Sequence, residues 1–245
     1  MLSVQGVGKC FQERWIFRNV DLHIRDGESV ALIGPSGGGK SVLLKTIAGL
    51  LTPDEGRIEI GTENVGMLFQ KNALFDSMTV EENLLFPLKE RLGIVGEEAR
   101  RRAADFLDRV NLSGNESLYP DEISGGMQKR LGIARALIVE PKLILYDEPT
   151  AGLDPVTSRV IAEMIQHLRE RVGSTLLTVT NDVQRAYQLG DRICMLALGE
   201  LKDGGTAAEV KRSRDPVIRQ FVHGLKQGPL SPDARLPAEN DGAEA

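Results

Sequence analysis

The sequence predicts an α/β protein whose two β/α ends flank a helical insert, and three observations carry that prediction. A short apolar run, Ser29–Ile33, enters a glycine-rich stretch that gives way to helical spacing, in the order strand, loop, helix. Two further apolar runs, Leu143–Tyr146 and Thr175–Thr180, enclose a long amphipathic stretch over Val156–Arg171. Between these units, from Glu81 to Val139, the pattern turns helical.

The elements follow in order. Leu2–Val7 and Val20–Ile24 are β-rich, and Asp26-Gly27 predicts a tight turn between two strands. Ser41–Leu51 places Val42, Leu43, Leu44, Ile47, Leu50 and Leu51 at helical spacing. Arg57–Ile60 and Val65–Phe69 read as two more strands. Arg100–Val110 sets a charged face against Ala103, Phe106, Leu107 and Val110, and Ser124–Ala136 reads as the start and body of another helix. Composition changes near Gly228, where Pro229, Pro232 and Pro237 sit among polar and acidic residues. Residues 226–245 read as a polar tail, mobile or docked on a partner subunit.

The chain has 245 residues, enough for one large domain with a sizeable core. Apolar residues are 41% and charged residues 27%, an ordinary globular composition. A net charge of -5 gives no support to nucleic-acid binding by phosphate neutralisation. Cys10 and Cys194 lie far apart in no metal-ligand spacing and read as reduced thiols of a cytosolic protein. No apolar run approaches the ~18 residues of a membrane span, so membrane work would need other subunits.

Three motifs carry chemistry. Gly34-Pro35-Ser36-Gly37-Gly38-Gly39-Lys40-Ser41 fits G-x-x-x-x-G-K-[ST]. Its glycines let backbone N–H groups wrap phosphate oxygens, and the following helix adds its N-terminal N–H groups and dipole. Lys40 supplies charge to the β- and γ-phosphates, and Ser41 places a hydroxyl on Mg²⁺. Next, an apolar strand ends in adjacent carboxylates at Asp147 and Glu148. Asp147 suits the Mg²⁺ shell, and Glu148 suits the general base that polarises the attacking water. Third, Ser124-Gly125-Gly126-Met127-Gln128 opens a helix. It reads both as an N-cap and as a second anion cradle.

With the first two motifs, this third stretch resembles the LSGGQ signature of ABC-transporter ATPases, with Ile123 in the place of Leu and Met127 where Gln is usual. The resemblance covers residues 1 to about 225 (counted on the chain, domain scale). It implies a P-loop NTPase (RecA-like) core over 1–85 and 140–225, with a small antiparallel β subdomain. A helical subdomain would occupy 86–139. It also implies ATP and Mg²⁺ as cofactors and a sandwich dimer with a second copy, in which Ser124, Gly125 and Gly126 contact the γ-phosphate held by the opposite subunit. Gln70 matches the glutamine that contacts Mg²⁺ and the attacking water. Ala151–Asp154 matches the loop that crosses the dimer interface, with Asp154 at its end. Phe11 matches the aromatic residue that stacks on adenine, with Trp15 near enough to share that reading and ordinary core packing the bland alternative. Asn181, in Thr180-Asn181-Asp182, stands where the family has a histidine. An amide there donates a hydrogen bond but carries no proton. The resemblance thus implies a working ATPase, slowed at that position.

The stretch Phe69–Leu88, together with Met127, is similar to the ATPases of Mla-type phospholipid (toluene-tolerance-like) transporters of Gram-negative bacteria. That similarity implies integral membrane permease subunits, further lipid-binding subunits, and a peripheral place on the cytoplasmic face of the inner membrane. Leu74, Phe75, Phe86 and Pro87 would form an apolar groove for a permease helix. For Phe86, core packing is the competing reading. Other readings are a small-solute importer ATPase, a soluble ABC ATPase without a transporter, and a non-catalytic nucleotide-gated module.

Overall fold

The computed structural model describes residues 1–68 and 74–231. Strands β1 (Leu2–Phe11), β2 (Arg14–Ile24) and β4 (Glu55–Ile60) form an antiparallel sheet in the order β2-β1-β4. The larger sheet runs β5-β6-β7-β3-β8-β9, from β3 (Ser29–Ile33), β5 (Val65–Leu68), β6 (Leu143–Asp147), β7 (Thr175–Val179), β8 (Arg192–Ala197) and β9 (Glu200–Gly205). Its pairs are parallel apart from the antiparallel edge β8–β9. Strands β3, β6 and β7 are buried at every position, as a parallel sheet covered on both faces requires.

Helix α1 (Lys40–Ile47) follows β3. Three helices, α2 (Val80–Leu92), α3 (Gly96–Arg109) and α4 (Gly125–Leu137), fill the middle of the chain, and α5 (Pro155–Val172) joins β6 to β7. Leu84, Leu107, Leu131 and Leu137 of the middle helices share one core with Tyr146 and Ile161. A second core between the two sheets holds Leu2, Phe17, Leu32, Leu44 and Leu145. The third packs β8 against α6 (Val183–Leu189), α7 (Ala207–Lys211) and α8 (Pro216–His223).

Several expectations shift. Asp26-Gly27 does form a turn, with the Glu28 N–H donating to the Arg25 carbonyl at 3.2 Å. It joins no hairpin, because β2 and β3 lie in different sheets. The hairpin is β1–β2 instead, turned by Gln12 and Glu13 at φ 47 and 64. Both residues adopt the left-handed conformation that glycine or asparagine usually signals. Helix α1 stops at Ile47, short of the expected Leu51, with Gly49 at φ 73 just beyond it. Residues 226–231, read as the start of the tail, fold back on α8. There the Leu230 N–H donates to Gln220 Oε1 at 2.7 Å, and Leu230 packs on the third core. Residues 232–245 lie outside the described residues, as does Phe69 at the expected end of β5. Among the described residues no helix is long and apolar enough to cross a membrane.

Candidate functional site

The buried strand β3 delivers the chain into residues 34–39 at the C-terminal edge of the sheet, ahead of α1. Glycine is required there. Gly34 sits at φ 146, and a Cβ on it would lie 2.1 Å from the Leu196 carbonyl oxygen. Gly39 sits at φ 94, and a Cβ would lie 2.6 Å from Ile16 Cγ2. Lys40, the first residue of α1, donates to the carbonyls of Gly34 and Pro35, both at 2.9 Å. Burial pulls its ammonium below the ordinary lysine range, while the Glu148 and Asp147 carboxylates oppose that shift.

The Ser41 hydroxyl donates to Asp147 Oδ1 at 2.9 Å, bringing the start of α1 to the end of β6. A hydroxyl and a buried carboxylate are hard oxygen donors, and no cluster of three or more His, Cys, Asp or Glu residues stands near them among the described residues. That small donor set fits Mg²⁺, which keeps several waters and takes one or two carboxylates beside substrate phosphates.

Glu148 holds a left-handed backbone at φ 50, a conformation that costs a non-glycine residue about 1–3 kcal/mol. Its N–H donates to the Val179 carbonyl at 2.9 Å. Burial raises its carboxyl pKa; the Lys40 charge, the Thr180 hydroxyl and the Asn181 backbone pull against that rise, and Asp147 adds to it. The net direction is upward, which suits a base that must take a proton. The Asn181 amide reaches Ser36 Oγ at 3.4 Å. Glu148, Asn181, Ile16 and residues 36–42 together line a cavity of 260 Å³.

The other expected residues lie apart from this cavity. Ser124 caps α4, accepting from the Met127 N–H at 3.3 Å. Gly125 faces open space, and a Cβ on Gly126 would meet nothing nearer than Thr157 Cγ2 at 3.7 Å. Asp154 caps α5, accepting from the N–H groups of Val156 and Thr157, both at 3.0 Å, and its hydrogen bonds with Thr157 lead in lowering its pKa. Phe11 ends β1, 45% exposed, with the Lys9 ammonium 5.2 Å from its ring centroid. Trp15, by contrast, lines a 390 Å³ cavity against residues 35–38. Its ring is stacked by Arg18 at 4.6 Å, and Glu55 grips Arg18 through bonds of 2.7 and 2.6 Å. Gln70 lies outside the described residues.

Lys129 escaped the sequence reading. It sits on α4 at 4% exposure. Burial lowers its pKa, opposed by the charges of Glu148 and Asp147, the same balance that acts on Lys40. The signal was there: Lys129, Ile133 and Leu137 fall at i, i+4 and i+8 on one buried face.

A larger cavity, 590 Å³, opens between α2 and α3 and is lined by Met78, Leu85, Phe86, Ile94 and Val95 among others. Phe86 lines it, whereas Leu74, Phe75 and Pro87, expected to share a groove with Phe86, are not part of its lining. Phe75 turns away to meet Phe86 edge-on at 4.8 Å and the Arg135 guanidinium at 3.9 Å. The buried Asn83 amide fixes it there, accepting from the Phe75 N–H and donating to its carbonyl.

Residues 17–151 match the family model described as ABC transporter. The chain is 40% identical over 244 residues to a probable ribonucleotide transport ATP-binding protein of Mycobacterium leprae, covering 94% of this chain and 70% of that protein. It is 38% identical over 256 residues to the sulfate/thiosulfate import ATP-binding protein CysA of Mesorhizobium japonicum, covering 99% of this chain and 72% of that protein. Among solved structures it resembles a dimeric post-hydrolysis state of the ATP-binding cassette MJ0796 bound to ADP and Pi. There the TM-score is 0.74 at 34% identity, over 83% of this chain and 98% of that one.

Proposed function

Because the chain belongs to the ABC transporter ATP-binding family, as an ATPase on a P-loop NTPase core, we propose that two copies close around two ATP molecules and drive a membrane permease. The reading rests on one observation above the rest: the Ser41–Asp147 contact, Lys40 and Glu148 converge on the phosphate loop. Residues 34–41 hold the phosphates, with Lys40 leaving its two loop carbonyls for the β- and γ-oxygens. Ser41 and Asp147, with Gln70, hold Mg²⁺, which when bound neutralises charge on the phosphate oxygens. Glu148 takes the proton of the attacking water, and Asn181 donates a hydrogen bond where the family histidine stands. Ser124, Gly125 and Gly126 reach the γ-phosphate of the other copy, and Asp154 shapes the loop crossing between them. Phe11 stacks on adenine, with Trp15 beside the loop as a second platform.

Residues 1–85 and 140–225 act as the nucleotide-binding core and 86–139 as the moving helical subdomain. Closure is passed through the Gln70 loop and the groove at Phe86 to the permease, from the cytoplasmic face of the inner membrane. The cargo we assign is phospholipid, with lipid-binding subunits as further partners, on the strength of the Mla-like stretch 69–88 and Met127. Small-solute import is the second reading, favoured by the CysA relative. Purifying the chain with its permease and identifying bound lipid separates the two. Phospholipid retained by the complex supports the first; a complex free of lipid that binds a small anion contradicts it.

A further inference from the structure

At the opposite edge of the sheet from the phosphate loop, α3, the end of α5 and the link into β6 enclose a cavity of 270 Å³. Four arginines line it: Arg101, Arg102 and Arg109 from α3 and Arg171 from the last turn of α5. Three carboxylates meet them, Asp105 and Glu140 in the lining and Glu98 beside Arg102, which leaves one positive charge in excess in a chain whose net charge is -5. Two of the arginines are held in place. Arg109 pairs with Asp105 and lies 5.0 Å over the Phe106 ring, and Arg102 bonds Glu98 at 2.8 Å. Among the described residues, Arg101 and Arg171 make no ion pair or hydrogen bond with any side chain or carbonyl, although both border the cavity.

Arginines that line one cavity from two elements offer planar, multidentate donors suited to phosphate oxygens. The cavity is smaller than the roughly 300 Å³ of common drug-sized sites, so it suits a compact anion. Nothing in the nucleotide reading uses it, since β6 separates Glu140 from Asp147 by its whole length.

We propose that this arginine cavity binds a phosphate-bearing anion that bridges α3 to the end of α5. The bridging anion offsets the repulsion among the four cations and ties the middle helices to the sheet. The same chemistry is offered by a free phosphate and by the phosphomonoester headgroup of phosphatidic acid.

The test uses the full chain with its phosphate loop saturated by a non-hydrolysable ATP analogue and Mg²⁺. Inorganic phosphate and pyrophosphate are titrated by calorimetry, and vesicles of phosphatidylcholine with or without phosphatidic acid are tested by co-sedimentation. The native chain is expected to bind at least one probe. Arg101→Gln with Arg171→Gln should weaken that binding at least tenfold, and Arg100→Gln, outside the cavity, should not. Unchanged nucleotide binding by the double variant certifies its fold; the milder Arg101→Lys with Arg171→Lys, which loses only the fork geometry, serves if it fails. Binding of phosphate alone assigns a soluble anion, and binding confined to phosphatidic acid vesicles assigns a headgroup. A native chain that binds none of the probes, or arginine variants that bind like the native chain, overturns the proposal.

Discussion

Two glycine-rich segments open helices in this chain, and their glycines answer to different demands. Before α1, Gly34 and Gly39 are required by the fold: their φ values of 146 and 94 and the crowding by Leu196 and Ile16 leave no room for a Cβ. At the start of α4, Gly125 and Gly126 meet no such demand, having open space or an ordinary contact beside them. Glycine in a helix costs about 0.5–1 kcal/mol relative to alanine. A glycine pair that its own chain does not need points to an approach from outside, which is where the sandwich reading places the second nucleotide.

Substitutions at the two segments should therefore part in character. Gly34→Ala forces a methyl into the Leu196 carbonyl and a side chain into a disfavoured φ. It should cost about 3 kcal/mol or more, read as a fall in Tm together with loss of nucleotide binding. Gly126→Ala should leave Tm unchanged or slightly raised while ATPase activity drops more than tenfold. A fall in Tm with activity kept would erase the contrast.

The catalytic half of the comparison turns on Glu148. With glutamine in its place, turnover should fall about 10²–10⁴-fold, the usual contribution of a general base, while ATP still binds; unchanged turnover contradicts its role. Its raised pKa gives a pH signature. The base works deprotonated, so activity is lost as pH falls through that raised value, above the ordinary carboxylate range. Lys129→Met removes a positive charge felt by Glu148 and Asp147 and should move the acid limb further up, whereas Lys129→Arg should hold it. An acid limb that stays put in the methionine variant removes Lys129 from the site. Smallest in effect, Asn181→His should keep or modestly raise the rate, read as kcat; complete loss would mean that Asn181 does not occupy the histidine's place.

Legibility in the sequence followed how local the determinants were. The phosphate loop, the Asp147–Glu148 pair and the Ser124 cap were legible because each is a contiguous run whose chemistry fixes its residue types. The Gln12–Glu13 turn was not, since neither residue advertises a left-handed backbone. Elements β8 and β9 and helices α6–α8 went unread because they take their stability from packing on cores assembled from distant parts of the chain. Lys129 shows only a buried helical face in the sequence and Trp15 only nearness to Phe11; their places near the acidic pair and beside residues 35–38 come from elements that the fold brings together.

The central claim is that the glycine-rich start of α4 serves a nucleotide held by another copy. Mixing two inactive variants tests it most directly. Lys40→Ala removes the phosphate loop's charge, and Ser124→Arg fills the face of α4. Combined, they leave one complete site per mixed dimer, built from the loop of one copy and the α4 terminus of the other. ATPase activity should reappear on mixing, above either variant alone. A Ser124→Arg chain active by itself, or a mixture as silent as its components, would contradict the account.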